Sequence, residues 1–211
     1  MSVVPAIPED GKILAQAMAR LEAKDFPAAA AYFTRAIALG HDAPEIRNNL
    51  GYALRLSGDR AGAELAFREA LRQRPAYLRA AANLAELLLP ESAAAAAHVI
   101  SAALAAGAGE PLHRAAARLW RDAGRADRAV AHLLAVLEAS PNDTLMRSEL
   151  GTTLMGLGQP SAAIPHLARV AAEMPDRADA KVNHGLALQQ SGDIDAAMAV
   201  LTIHHWSDKA A

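Results

Sequence analysis

Apolar residues along this chain recur with the period of an α-helix, in stretches of about 14 residues separated by short turns. Residues 44–77 show the pattern. Leu50, Ala53 and Leu54 share one face of a first helix, and Ala63, Phe67, Ala70 and Leu71 share one face of a second. Gly51 and Ala63 are small where two such helices would cross, so the backbones can approach closely. Phe67 and Leu54 fill the wider spaces beside that crossing. The pattern predicts a helical hairpin, and no single hairpin can bury such a stripe alone.

The hairpin recurs. Leu50-Gly51-Tyr52-Ala53-Leu54 is echoed 100 residues on by Leu150-Gly151-Thr152-Thr153-Leu154, and 34 residues later by His184-Gly185-Leu186-Ala187-Leu188. A spacing of 100 is two short of three periods of 34, so one intervening repeat should lack two residues. A small-residue column runs Ala17, Gly51, Ala85, Ala117, Gly151, Gly185, followed by Ala29, Ala63, Ala95, Ala129, Ala163, Ala197. A large column runs Phe33, Phe67, Val99, Leu133, Leu167, Leu201, and another small one Ala36, Ala70, Ala102, Val136, Val170. Turn columns run Lys24, Gly58, Gly124, Gly158, Gly192 and His41, Pro75, Gly107, Pro141, Pro175. The Gly, Pro and Phe/Leu columns carry the argument, because Ala matches are cheap in an Ala-rich chain. The short repeat falls at Leu89-Pro90-Glu91-Ser92, where the Gly turn is absent.

Local punctuation agrees. Ser57-Gly58-Asp59 and Ser191-Gly192-Asp193 each offer a Gly able to take positive φ and then an Asp N-cap. Ser140-Pro141-Asn142-Asp143 ends one unit and caps the next. Pro44 and Pro160 suit a first helical turn, where a missing N–H costs nothing. Pro165 falls inside a predicted second helix, which it should kink or restart.

These columns resemble the tetratricopeptide repeat family, whose 34-residue unit carries Leu-Gly, Ala, Phe and Pro at set offsets. Leu50-Gly51, Leu54, Ala63, Phe67, Ala70, Pro75 match it, as do Leu150-Gly151, Leu154, Ala163, Leu167, Pro175. The resemblance covers residues 10–211 and departs at Gln16 and Arg20 of the first unit, in the shortened third, and in the last, which stops before its Pro. It implies an all-α fold: a right-handed superhelical α-solenoid of about six helix-turn-helix hairpins. An extension, 1–9, would precede one array with units 10–43, 44–77, 78–109, 110–143, 144–177 and 178–211.

The resemblance also implies that first helices line a concave face. Inward positions are then Asn48, Asn49, Tyr52 and Arg55, with Arg79, Asn83 and Glu86, Arg114, Arg118 and Arg121, and Asn183. Asn49, Asn83 and Asn183 share one column, where an amide can donate to and accept from an extended peptide backbone. This is similar to the asparagine ladder of repeats attached to certain protein glycosyltransferases, although Ala115 and Glu149 interrupt it. The alternative is a surface amide bonded to water or to a neighbouring hairpin. The arginines form a strip suited to carboxylates or an acidic peptide. The alternative is a set of solvated cations balanced by Glu45, Glu86 and Asp122. Asn48 and Arg79 overlap the family's carboxylate-clamp pattern only in part, and no clamp is assigned.

Composition narrows the function. Hydrophobic residues reach 53% with only 4% aromatic, which favours closely packed helices over strands. The formal charge of −2 gives no reason to expect a nucleic-acid or membrane partner. Cysteine is absent, so thiolate sites are excluded. The N-terminal residues, Met1 to Asp10, lack a basic and apolar leader, and the longest apolar run, Ala93–Ala97 with Val99 and Ile100, is too short to span a membrane. A cytoplasmic, bacterial protein is expected. No nucleotide loop, nucleophile elbow or zinc-protease signature occurs. His204-His205-Trp206 is the one local His cluster and lacks metal-ligand spacing; the other His read as scattered among units, with His184 in a packing column. Asp193 and Asp195 read as capping acids.

The expectation is therefore a scaffold that binds a protein or peptide, with no enzymatic activity, cofactor or metal. Two alternatives stand: the substrate-recruiting N-terminal region of a larger enzyme, such as a glycosyltransferase, sulfotransferase or hydroxylase, or a homo-oligomer stacked through the uncapped end near Ile203 and Trp206.

Overall fold

The computed structural model describes the backbone of residues 12–207 and side chains through Leu201. The 1–9 segment and the side chains of Ile203, His204, His205 and Trp206 lie outside the described residues. Twelve helices and no strand occur among those described: α1 (Ile13–Glu22), α2 (Phe26–Ala38), α3 (Pro44–Leu56), α4 (Arg60–Gln73), α5 (Leu78–Leu88), α6 (Ala93–Ala105), α7 (Gly109–Asp122), α8 (Ala126–Ala139), α9 (Thr144–Gly156), α10 (Pro160–Glu173), α11 (Ala178–Ser191) and α12 (Ile194–Ser207). They divide into two compact units, Met1–Leu112 and His113–Ala211. None is long and apolar enough to cross a membrane.

The turns show why the helices break where they do. Gly58, Gly124, Gly158 and Gly192 take φ of +69° to +93°, which a Cβ would oppose. Lys24 occupies the same column at φ +59°, the only non-Gly residue in that region among those described. Asp59 then caps α4, accepting from the Gly62 N–H at 2.8 Å. Asp25, Asp143 and Asp193 cap α2, α9 and α12 through the N–H of Ala28, Met146 and Ala196. In the third hairpin no Gly turn exists. α5 has only 11 residues, and Ser92 caps α6 by accepting from Ala95 N–H at 3.1 Å.

The hairpin crossings follow the columns. A Cβ on Gly51 would lie 2.6 Å from the Phe67 ring, and one on Gly151 would lie 2.5 Å from Leu167 Cδ2. Phe67 and Leu167 are fully buried, and each such side chain contributes about 1.5–3 kcal/mol of transfer free energy. In the first unit one core runs through successive hairpins, from Ile13, Ala17, Tyr32 and Phe33 to Leu50 and Ala66. Of the two outcomes expected at Pro165, the restart does not occur: α10 runs from Pro160 to Glu173 with Pro165 inside it. Pro165 and Ser161, whose carbonyl loses its helical donor, are both exposed, so water can satisfy the orphaned acceptor.

Candidate interaction surfaces

In the first unit the first helices α3 and α5 are joined by amides. Asn83 Nδ2 donates to Asn48 Oδ1 at 2.9 Å, Asn48 Nδ2 donates to Asn49 Oδ1 at 3.4 Å, and Asn49 Nδ2 reaches Met18 Sδ at 3.5 Å. Asn48 is buried, at 4% exposure. Its amide is spent on its neighbours because a buried amide left unpaired would cost about 1–3 kcal/mol. Asn49 and Asn83 are half-buried and flank it. Asn83 therefore bonds the neighbouring hairpin, which is the alternative weighed for its column, and does so through Asn48 and not through Asn49.

The cations of the first unit are mostly paired. Arg55 bridges to Glu86 on α5 at 2.9 Å and lies over the Tyr52 ring at 5.4 Å. Glu45 pairs with Arg74, at 2.5 Å. Asp42 accepts from Arg47 and Gln73, and these hydrogen bonds pull its carboxyl down to about 2. Arg79 is exposed at the start of α5 and makes no ion pair among the described residues.

The second unit is arranged differently. Arg114 pairs with Asp143 at 2.6 Å and Arg121 with Glu149 at 2.5 Å, each on α7 and reaching toward α9. Arg118 and Asp122 are 3.5 Å apart on the exposed side of α7. Of the balancing acids expected from sequence, Glu86 and Asp122 do face Arg55 and Arg118, whereas Glu45 serves Arg74. Asn183 is half-buried on α11.

Three features escaped the sequence. His113 and His132 are not scattered: their Nδ1 atoms lie 3.0 Å apart across the α7–α8 hairpin. Burial, and then the His113 charge, push the His132 imidazole down to about 4. His166 is lowered by burial and by Arg147. The signal was present, since His98, His132 and His166 share one column directly before the large residue. Second, Arg147 is buried at 9% exposure and donates to the Pro141 carbonyl. Third, Trp120 is the bulkiest fully buried side chain among the described residues, with the Arg128 guanidinium 4.9 Å from its ring centre. No group of three His, Asp or Glu side chains is placed to share a metal among the described residues.

Family models described as tetratricopeptide repeat match residues 14–77 and 154–203. The chain belongs to the tetratricopeptide repeat family. Solved structures share the fold at low identity. YrrB, a tetratricopeptide protein described as having an unusual peptide-binding site, is 22% identical over 82% of this chain and 91% of its own, with a TM-score of 0.58. A tetratricopeptide repeat protein from Parabacteroides merdae is 15% identical, covering 90% and 76% of the two chains at a TM-score of 0.61. PilW, a type IV pilus biogenesis factor, is 19% identical over 89% and 88%, with a TM-score of 0.57. No curated protein matches the sequence. The all-α solenoid that the resemblance implies is the fold of this family. The third and fourth hairpins, residues 78–143, lie between the two matched segments.

Proposed function

We propose that the chain is a scaffold that binds a protein or peptide segment across its first helices, with no chemistry of its own. One observation carries the reading. The Asn83–Asn48 and Asn48–Asn49 bonds tie together the half-buried amides of Asn49 and Asn83 on adjacent first helices, with the exposed Arg79 on the same helix as Asn83. Amides so held have lost little freedom still to be lost on binding, and a backbone segment can bond them on both edges. Arg79 would meet a carboxylate of the ligand. The paired arginines of the second unit, Arg114, Arg118 and Arg121, would have to exchange intramolecular acids for a ligand.

The test is a peptide selected from a display library against the whole chain, with affinity read by calorimetry. Asn83→Ala and Arg79→Glu should each weaken binding by about tenfold, or roughly 1.4 kcal/mol. Arg118→Glu should weaken it less. Unchanged affinity in both of the first two variants removes this surface from consideration.

Self-association is a second reading, motivated by α11 and α12. Val182, Leu186, Ile194, Met198 and Leu201 are exposed apolar residues on these two helices. Apolar faces of this kind are what successive hairpins bury against one another. Sedimentation over a range of concentrations decides it, and a monomer at every concentration rejects it.

A further inference from the structure

The second helices of the first unit carry a groove that the first-helix surface does not use. It has a volume of about 320 Å³ and lies between α4 and α6, over α5. Its floor is Leu71, Leu84, Val99 and Ala103, and its rim is Arg68, Arg72 and His98. Leu84, Val99 and Ala103 are buried, while the three rim residues are exposed, so the groove is open on one side.

The repeat columns explain why space is left here. Val99 is the smallest residue in a column otherwise filled by Phe33, Phe67, Leu133, Leu167 and Leu201. Ala103 stands one turn later, where Ile37, Leu71 and Leu137 stand in other hairpins. The fifth hairpin also has an alanine there, Ala171, but keeps Leu167. The third hairpin alone among these combines both reductions, and close packing elsewhere means that missing methyls show as a groove.

The charged side chains that line it have one sign. No carboxylate lines the groove. Glu64 and Glu69 bind Arg68 and Arg72 from the same helix, at 2.8 and 2.7 Å. These are exposed i,i+4 and i,i+3 pairs, which hold their partners weakly and can be exchanged at little cost. Leu65, among the most exposed of the large apolar residues, lies one turn before Arg68 on α4. An open groove with an apolar floor and a cationic rim suits a protein segment better than a small molecule, which would need enclosure.

We propose that this groove is a second docking surface, which takes a partner-protein segment bearing a bulky apolar residue flanked by carboxylates. The apolar side chain sits over Val99 and Ala103, and the carboxylates meet Arg68 and Arg72. The surface is independent of the first-helix face, so either can fail alone.

The experiment uses the full chain with labelled methyl groups, titrated with the blocked hexapeptide EDLFDE and with its basic counterpart KKLFKK. The acidic peptide should shift the methyl signals of Leu71, Leu84 and Val99 saturably and bind about tenfold more tightly than the basic one. The double variant Arg68→Glu/Arg72→Glu should reverse that preference. Ala103→Leu restores the residue found at Leu71 and Leu137, so it should close the groove, abolish the shifts and leave the melting temperature equal or higher. If that variant misfolds, Ala102→Glu at the exposed rim adds a carboxylate and should abolish binding of the acidic peptide. The proposal is overturned by equal binding of the two peptides, by no shift at millimolar peptide, by shifts confined to α3 and the first turn of α5, or by full binding to Ala103→Leu. It is equally overturned if the same methyls shift with protein concentration alone, which would make a second copy of the chain the occupant.

Discussion

The second hairpin and the two that follow it solve one packing problem in different ways. In the second, Gly51 lets the fully buried Phe67 ring come within contact of the opposing backbone. In the third, Ala85 faces a column shrunk to Val99 and Ala103, and a groove opens. In the fourth, Ala117 goes with Leu133, a half-buried histidine pair bridges α7 and α8, and Trp120 is fully buried. A helical hairpin needs its inter-helix space filled, but the columns leave open which residue fills it. The hairpins that depart from the common filling are the ones with distinctive surfaces, and they lie outside the segments matched by the family models.

The sharpest way to break this comparison is Trp120→Ala. If Trp120 supplies the bulk of the fourth hairpin's interior, the loss should be about 3–5 kcal/mol, the range for large buried aromatics. Urea denaturation with amide exchange on α7 and α8 measures it, and a loss under about 1 kcal/mol would show that the site collapses freely.

Gly51→Ala asks whether the second hairpin depends on its glycine. Overpacking costs about 1–3 kcal/mol, and the better helix propensity of Ala returns up to about 1, so a net loss is expected. Adding Phe67→Leu should recover part of it, because Ala117 and Leu133 already coexist in the fourth hairpin. A double variant no better than Gly51→Ala would separate the two hairpins more deeply than the columns suggest.

Acidification should distinguish the fourth hairpin. His132 is held neutral by its surroundings, with its imidazole lowered to about 4. The unfolded chain therefore binds the proton first as pH falls. The stabilisation is complete above the unfolded value of about 6.5 and is lost as pH drops toward about 4. The melting temperature of the parent should fall across that window more steeply than that of His132→Gln. Parallel curves would mean that His132 titrates alike in the folded and the unfolded chain.

Lys24→Gly is the smallest change. Lys24 sits at φ +59°, where a Cβ is strained, and its column otherwise holds glycine. Relief of strain, offset by the greater entropy of an unfolded Gly, should stabilise the first hairpin by under about 1 kcal/mol. Calorimetry reads the rise, and a fall would mean that the Lys side chain contributes more than its strain costs.

Much of the fold was legible. Gly58, Gly158 and Gly192 mark turns because positive φ excludes other residues, and Asp59 and Asp193 mark caps because N-terminal N–H groups lack partners. Phe67 and Leu167 were legible as core because each faces a glycine at fixed spacing. Pro165 left a kink and a later helix start open, and the sequence could not exclude the later start without knowing that Ser161, which supplies the orphaned carbonyl, is exposed. The candidate surface was legible only as a set of positions. Asn48 and Asn49 are adjacent, and nothing in their order says that Asn48 turns inward to Asn83. His113 and His132 fell in one predicted unit but were read as separate, because the repeat register compares units and does not pair the two helices inside one.

The sequence alone determined the helix positions, the turns and the identity of the crossing residues, because these depend on near neighbours and on a period of 34 that repeats them. Only the tertiary structure decided which polar groups meet and where space remains. Asn48 with Asn83, Arg55 with Glu86, His113 with His132 and the groove between α4 and α6 each join residues 19 or more positions apart. Whether such groups touch is set by the rotation and separation of packed helices, and those follow from the sum of the side-chain volumes between them.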